Sequence, residues 1–226
     1  MCASTEIELE RWLGRRGGGP SAGEPPLAVV ARRQRHGRGQ LGRHWHSPAG
    51  GVWLSAAMPW PDRPSAALGL AVVVGLALEL EALGVEPRIK WPNDLLLEGR
   101  KLAGVLPRLR LRGGAVRWAQ VGIGINGVNR APAGAIALAE ALGGAGRFHP
   151  QARPRPLERR LLRALDWACR HASCGESVRR LAEARLLPSP EGLLHHGAVW
   201  QVEGLAVDGG LRLRRGPLST RLQRRF

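Results

Sequence analysis

The sequence predicts an α+β protein. Three observations carry that reading: several short apolar runs of strand length, two long apolar or amphipathic segments of helix length, and a C-terminal module in which two apolar runs flank Asp208-Gly209-Gly210. A chain of 226 residues can bury one good core and support a small second module.

In chain order, Glu6–Leu13 reads as a short helix with Ser4 or Thr5 available to cap it. Gly14–Pro26, rich in Gly, Pro and Arg, reads as a mobile loop, and Leu27–Ala31 as a buried strand. Gln34–Trp45 has glycines at 37, 39 and 42 and no hydrophobic period, so it is a loop. Gly51–Met58 is a strand, and Ser65–Leu83 a buried helix with Gly69 and Gly75 for close packing. Pro87–Lys90 leads into Trp91-Pro92-Asn93-Asp94, where Pro92 favours an extended Trp91. Leu95–Leu97 and Lys101–Leu106 read as a hairpin turning at Glu98-Gly99, with the second strand running on to Leu111. Val116–Asn126 is a strand, and Ala133–Leu142 and Leu157–His171 are helices. Pro188–Pro190 breaks the chain before Ala198–Val207 and Leu211–Leu213.

Composition excludes several classes. The apolar run Ala66–Leu78 is shorter than the roughly 20 residues needed to span a bilayer and runs straight into Glu79 and Glu81. Glu6, Glu8 and Glu10 stand where a signal peptide would be basic and then apolar. Cys2, Cys169 and Cys174 form no disulfide framework, which fits a reducing cytoplasm. A net charge of +16 raises the question of nucleic acid. Arg is spread along the whole chain, however, and the scarcity of Lys, Asn, Tyr and Phe matches a GC-rich coding bias, so nucleic acid is not the expected partner.

That bias makes the exceptions informative. Of 34 basic residues only Lys90 and Lys101 are lysines, and the asparagines fall at 93, 126 and 129. An ammonium fits against a single phosphate or carboxylate oxygen where the planar guanidinium does not. These positions are therefore read as chemical.

Two segments carry most of the chemistry. In Gly37–Trp45 the glycines let the backbone approach an anion, and Arg38 and Arg43 add charge-assisted hydrogen bonds. The pattern is neither a P-loop nor a dinucleotide fingerprint, and a basic glycine loop can equally bind RNA or nothing. In Ile89–Leu106, Asn93 and Asp94 offer oxygens suited to Mg²⁺ or a ribose, and Lys101 lies across the expected hairpin. An ordinary surface hairpin is the alternative. Cys169-x-His171-x-x-Cys174 lacks a fourth metal ligand, His36, His44 and His46 read as solvent-facing loop residues, and His195-His196 as a turn.

Together the motifs resemble the biotin–protein ligase family. Its marks Q-x-x-G-R-G-x-x-G-R-x-W, K-W-P-N-D, K-x-x-G-x-L and G-x-G-x-N occur here in order at Gln34–Trp45, Lys90–Asp94, Lys101–Leu106 and Gly122–Asn126. The resemblance implies a mixed, largely antiparallel sheet with packed helices, of the class II synthetase-like kind. It also implies a catalytic biotin- and ATP-binding domain over residues 1–187 and a small SH3-like β domain over 188–226. Ser4, Thr5 and Gln34 would hold the biotin ureido group. Gly37, Arg38, Gly39, Gln40 and the loop through Arg43 would fold over biotin and its adenylate. Lys101 would lie between the biotin carboxylate and the α-phosphate, and Gly104 and Gly122 would leave room for the ligand. Arg43, Trp45, Lys90, Asn93, Asp94 and Asn126 would line the ATP side. Mg²⁺ would arrive on the ATP phosphates, with Asn93 and Asp94 as candidate ligands. Lys101, Arg38 and Asp94 are the expected catalytic set, and the acceptor would be the biotin carboxyl carrier domain of acetyl-CoA carboxylase. Because Ser4 aligns with the start of the catalytic domain, a ligase without an N-terminal helix-turn-helix is expected.

Three positions depart from the family pattern: Glu6 stands where Asn is frequent, Gln40 where a second loop Arg is common, and Arg108 where Glu is frequent. A lipoate or octanoyl transferase of the same superfamily is the nearer rival, but K-W-P-N-D is not expected in it. An Arg-rich nucleic-acid-binding protein is the more distant one.

Overall fold

The computed structural model describes residues 1–61, 67–143 and 149–223. Its α-helices are α1 (Thr5–Arg16), α2 (Leu68–Glu81), α3 (Leu138–Ala141), α4 (Pro154–Arg170) and α5 (Gly175–Glu183). Its strands are β1 (Leu27–Ala31), β2 (Val52–Met58), β3 (Arg88–Lys90), β4 (Asp94–Leu97), β5 (Arg100–Arg112), β6 (Ala115–Ile125), β7 (Leu193–His195), β8 (Ala198–Leu205), β9 (Leu211–Arg215) and β10 (Leu218–Leu222). A six-stranded sheet has the order β1-β2-β6-β5-β4-β3, and a four-stranded sheet the order β10-β9-β8-β7.

Every pairing within the six-stranded sheet is antiparallel. The parallel component is confined to isolated bridges, such as Ile89 with Leu186 and Lys101 with Ala135. The fold is thus α+β with a large antiparallel sheet and a smaller C-terminal one.

Alternation along the strands separates the two faces of the large sheet. Val52, Leu54, Ala56 and Met58 of β2, Val105 of β5, and Val121, Ile123 and Ile125 of β6 point to one face and join the main core. Helix α2 covers that face. It is apolar nearly all round, as a helix buried on several sides must be. One side meets the sheet, while Gly75 meets α4 so closely that a Cβ would lie 2.6 Å from the Ala164 carbonyl oxygen. Gly69 makes a similar approach to Pro107.

On the opposite face α1 covers only the β1–β2 end, burying Leu9 and Leu13 against Ala57, Leu27, Val29 and Trp118. Burial of two leucines contributes about 1.5–3 kcal/mol each, and Gly17 in the left-handed region ends the helix. The rest of that face stays open, and the site forms there.

Several expectations need correction. Ser4 occupies the N-cap position of α1, but its hydroxyl makes no capping bond, and the helix runs on to Arg16. The expected loop over 14–26 is therefore helical at its start and is closed by an Arg16–Glu24 ion pair. The expected start of α2 at Ser65 lies outside the described residues. Trp91 lies in the turn between β3 and β4. The helix read over Ala133–Leu142 is a single turn, α3; residues 134–136 instead run beside β5, where Lys101 N–H donates to Gly134 O and Ile136 N–H to Lys101 O. The short strands β3, β7 and β10 and the helix α5 are additional, and His195 belongs to β7.

The four-stranded sheet shares the main core, since Leu205, Leu211 and Leu213 pack in the same cluster as Val178 and Ala182 of α5. Trp91 Nε1 donates to Gly209 O at 2.8 Å, tying the K-W-P-N-D turn to the β8–β9 turn.

Candidate active site

One cavity of about 440 Å³ opens on the uncovered sheet face, within the roughly 300–1,000 Å³ range of small-molecule sites. Its floor follows from strand register. Ser55, Gly122 and Leu106 form one cross-strand row, and Trp53, Gly124, Gly104 and Asp94 the next. In G-x-G-x-N, Ile123 and Ile125 enter the core while Gly122 and Gly124 pave the cavity.

Lys101 owes its place to a β-bulge. Leu95 pairs with Ala103 and Leu96 with Lys101, so β5 carries one extra residue, Leu102. In a regular strand, positions 101 and 104 would face opposite ways. The bulge sends both Leu102 and Ala103 into the core and turns Lys101 to the face of Asp94 and Gly104. There Lys101 Nζ meets Asp94 Oδ2 at 2.7 Å and lies 4.8 Å from the centre of the Trp45 indole.

The Trp45 ring rests on the glycine pair. A Cβ on Gly124 would fall 2.4 Å from its Nε1, and one on Gly104 3.0 Å from its ring. Gly104 gives room to Trp45 and also lines the cavity. At Gly122 the nearest neighbour of an added Cβ is 3.5 Å away, an ordinary contact, so the cavity is open over that residue.

At the other end of the cavity a polar chain runs through Thr5 and Gln34. Thr5 Oγ1 lies 2.8 Å from Ser55 Oγ, and both Thr5 N–H and its hydroxyl donate to Gln34 Oε1. Gln34 Nε2 donates to Ser47 Oγ, which in turn donates to Trp45 O. The Gln34 oxygen is thus occupied by Thr5, and one Nε2 hydrogen remains for a ligand acceptor. Ser4 is buried beside this group.

The glycine loop is a small hairpin. Gly39 N–H donates to Arg43 O, Trp45 N–H to Gly37 O, and Arg38 bridges His44. Gly37 admits no side chain, since a Cβ would lie 2.3 Å from Trp45 O. Arg38, Gln40 and Arg43 line the cavity. So do His44 and His46, expected to face solvent only; they are exposed at its mouth.

The asparagines are buried and engaged. Asn93 Nδ2 donates to Val105 O at 2.5 Å, clasping β5. Asn129 Oδ1 accepts from Gly127 N–H while its Nδ2 donates to Asn126 Oδ1. This leaves the Asn126 Nδ2 hydrogens as the donors it can offer the cavity. Lys90, paired in register with Asp94, is exposed and does not line the cavity.

Two of the three departures from the family pattern resolve together: Glu6 and Arg108 are partners, with Nη1 and Oε1 2.6 Å apart. Sequence reading missed that pairing, and it missed Ser47 and Ser55 as members of the site. Asn129 had a signal, since asparagine is rare here; the two serines had none. Cys169 and His171 serve packing. Burial pushes the Cys169 thiol up to about 11 and it donates to Pro59 O, while His171 stacks on Trp167.

The site is thus the open, glycine-paved face of an antiparallel sheet, lined by the cations Lys101, Arg38 and Arg43 and by the neutral polar group Thr5, Gln34 and Ser55. Residues 20–126 match the model of the Biotin/lipoate A/B protein ligase family. The structure is similar to that of the biotin protein ligase from Aquifex aeolicus in complex with biotin and ATP, with a TM-score of 0.74 and 26% identity over 98% of this chain and 92% of that one. The bifunctional ligase/repressor BirA of Bacillus subtilis is 43% identical over 109 residues, which are 46% of this chain and 33% of that protein. The biotin–[acetyl-CoA-carboxylase] ligase of Paracoccus denitrificans is 40% identical over 114 residues, covering 48% and 47% of the two chains. The match therefore spans a third to a half of these curated relatives. The resemblance read from the four motifs holds.

Proposed function

We propose that the chain is an ATP-dependent biotin–protein ligase, forming biotinyl-5′-AMP and passing biotin to a lysine of a biotin carboxyl carrier domain. The observation that carries the reading is a single cavity with two chemically distinct ends. Lys101, Arg38, Arg43 and the Asn126 amide supply donors at one, and Thr5, Gln34 and Ser55 supply neutral hydrogen bonds at the other. The similarity to a ligase holding biotin and ATP supports the same reading.

A biotin carboxylate, with a pKa of about 4–5, is already ionised near neutrality. Its oxygen attacks the α-phosphorus of ATP, the bond to the β-phosphate oxygen breaks, and pyrophosphate leaves. Repulsion between carboxylate and triphosphate opposes this step, and Lys101 and the loop arginines relieve it. In transfer, a deprotonated lysine amine attacks the anhydride carbonyl, the carbonyl–oxygen bond breaks, and AMP leaves. Asp94 is the candidate proton acceptor.

The oxygen ligands of Asp94 and Asn93 at this end suit a Mg²⁺ ion carried in by the triphosphate. Asp94 is the one carboxylate beside Lys101, and Asn93 keeps Oδ1 without a protein partner among the described residues. There the ion would neutralise phosphate charge. Among the described residues no helix is long and apolar enough to cross a membrane. The free thiols of Cys2, Cys169 and Cys174 fit the cytoplasm as the compartment. We read residues 1–187 as the catalytic domain and 188–226 as the small β domain.

Biotin-dependent exchange of labelled pyrophosphate into ATP tests the activity. Exchange with lipoate or octanoate instead of biotin points to the transferase rival. No exchange, with strongly salt-dependent retention on DNA, points to the nucleic-acid reading.

Two further results are expected. Cleavage by trypsin near Arg38 slows markedly when biotin and ATP are added, because the loop Gly37–Arg43 places no buried apolar side chain in the core and Leu41 at its tip is 85% exposed. Equal cleavage with and without ligands would count against loop closure. Gln40→Arg restores a charge-assisted hydrogen bond to the adenylate, worth about 1.5 kcal/mol, or roughly tenfold slower dissociation. The check is the release rate of pre-formed biotinyl-adenylate; an unchanged rate means position 40 does not hold the intermediate.

A further inference from the structure

The charge on this chain is unevenly matched. Most arginines away from the cavity mouth have carboxylate partners: Arg100 meets Glu98 and Glu140, Arg163 meets Glu79, Arg179 meets Glu176 and Glu183, and Arg185 meets Glu81. Between Glu24 and Asp62 the sequence has five arginines, three histidines and no carboxylate. Among the described residues none of Arg32, Arg33, Arg35, Arg38 and Arg43 has an ion-pair partner, and all five are exposed.

Their placement is directional. The Gln34 side chain turns inward to Thr5 and lines the cavity, while its neighbours Arg33 and Arg35 are exposed, as alternation in an extended segment requires. Arg38 and Arg43 belong to the cavity itself. The cationic strip therefore comprises two arginines of the cavity lining, Arg38 and Arg43, and three exposed ones that immediately precede the loop in the chain and lie outside the lining, Arg32, Arg33 and Arg35. A coding bias toward arginine explains the residue type. It does not by itself place five exposed arginines without an ion-pair partner among the described residues in one carboxylate-free stretch that adjoins the cavity.

We infer that this strip is a docking surface for an acidic protein, the acceptor domain whose lysine takes the acyl group, with Arg32, Arg33 and Arg35 meeting carboxylates that flank that lysine. The inference rests on the ligase reading above. The acceptor must bring a lysine to the mouth of a site that already holds an anionic intermediate, so a partner with carboxylates around the lysine is steered and oriented by the strip. Once the strip holds those carboxylates, they stabilise the lysine ammonium less, and its proton is lost more easily. An acidic protein fits better than nucleic acid because the strip runs into the reaction cavity and the reaction needs an amine acceptor there.

The test is the triple variant Arg32→Glu, Arg33→Glu, Arg35→Glu, none of whose residues lines the cavity. Biotin-dependent pyrophosphate exchange, and biotinyl transfer to hydroxylamine as a small nucleophile, are expected to stay at the wild-type level. Transfer to an acetyl-CoA carboxylase carrier domain is expected to lose at least about tenfold in kcat/KM, mainly through KM. The arginine-to-lysine triple variant should retain most of that activity. In the wild-type protein, raising salt should depress carrier transfer more steeply than exchange, a comparison that needs no variant to fold.

Unchanged carrier transfer in the triple variant, or equal salt dependence of the two reactions, overturns the inference. Loss of retention on duplex DNA with carrier transfer intact overturns it in favour of a nucleic-acid surface. Absence of exchange in the wild-type protein would instead overturn the ligase reading itself, so the two failures are distinguishable.

Discussion

Replacing Lys101 by Ala is expected to lower biotin-dependent pyrophosphate exchange by about 10²–10³-fold, the scale of removing one preorganised donor from developing charge. The fold should survive. The Lys101–Asp94 pair is about a third exposed on the lysine side, and ion pairs in that setting contribute roughly 0–1 kcal/mol to stability. Thermal unfolding should therefore move little while activity collapses. Lys101→Arg should also be poor, because the bulge at Leu102 aims a single ammonium between Asp94 and the Trp45 ring. A planar guanidinium directs its donors elsewhere and needs more width. Near-normal exchange in the arginine variant would remove the argument that lysine is retained here for its shape.

The second large effect is expected on stability. Glu6 is 7% exposed and Arg108 is its ion-pair partner. Arg108→Ala strands a buried carboxylate, at a cost of about 1–3 kcal/mol; since the Arg108 side chain is 34% exposed, solvent screening favours the lower half of that range. For a chain of this length a loss of about 1–2 kcal/mol lowers the midpoint by roughly 2–8 °C. Glu6→Gln in the same chain should recover most of the loss, because a neutral amide buried there needs no counter-charge. The double-mutant cycle by thermal unfolding is the measurement. Strictly additive effects would mean that the two side chains are independent in solution. Glu6 also lines the cavity, so the single Arg108 variant should weaken biotin binding as well, and the double variant less so.

The Glu6–Arg108 pair also marks the limit of reading one position at a time. As isolated residues they are two departures from a family pattern, 102 positions apart. In the fold they are one contact, and each accounts for the other. The same holds for the polar chain Ser55–Thr5–Gln34–Ser47, whose serines look like ordinary surface residues until β2 and the glycine loop meet. The helix α5 was recoverable from the spacing of Val178, Leu181 and Ala182. The strands β3, β7 and β10 were not, because three to five residues are too few to show a period against their neighbours.

Residue types and local spacing were enough for the mixture of helices and strands and for the hairpin around Glu98-Gly99, while the sheet class rested mostly on the resemblance carried by the four motifs. The scarcity of lysine and asparagine singled out positions 90–101 and 126–129 before any contact was known, because a compositional bias leaves exceptions only where chemistry resists substitution. Facing and partnership were decided in three dimensions. A three-residue step from Lys101 to Gly104 puts both on one face only because a bulge pairs two residues of β5 against one step of β4. The absence of a side chain at Gly104 and Gly124 is what seats Trp45, which reaches them from 59 and 79 positions away in the chain. Local energetics set the menu of strands and turns over a few residues, whereas the choice among partners depends on which distant surfaces pack, and no short window of sequence contains that information.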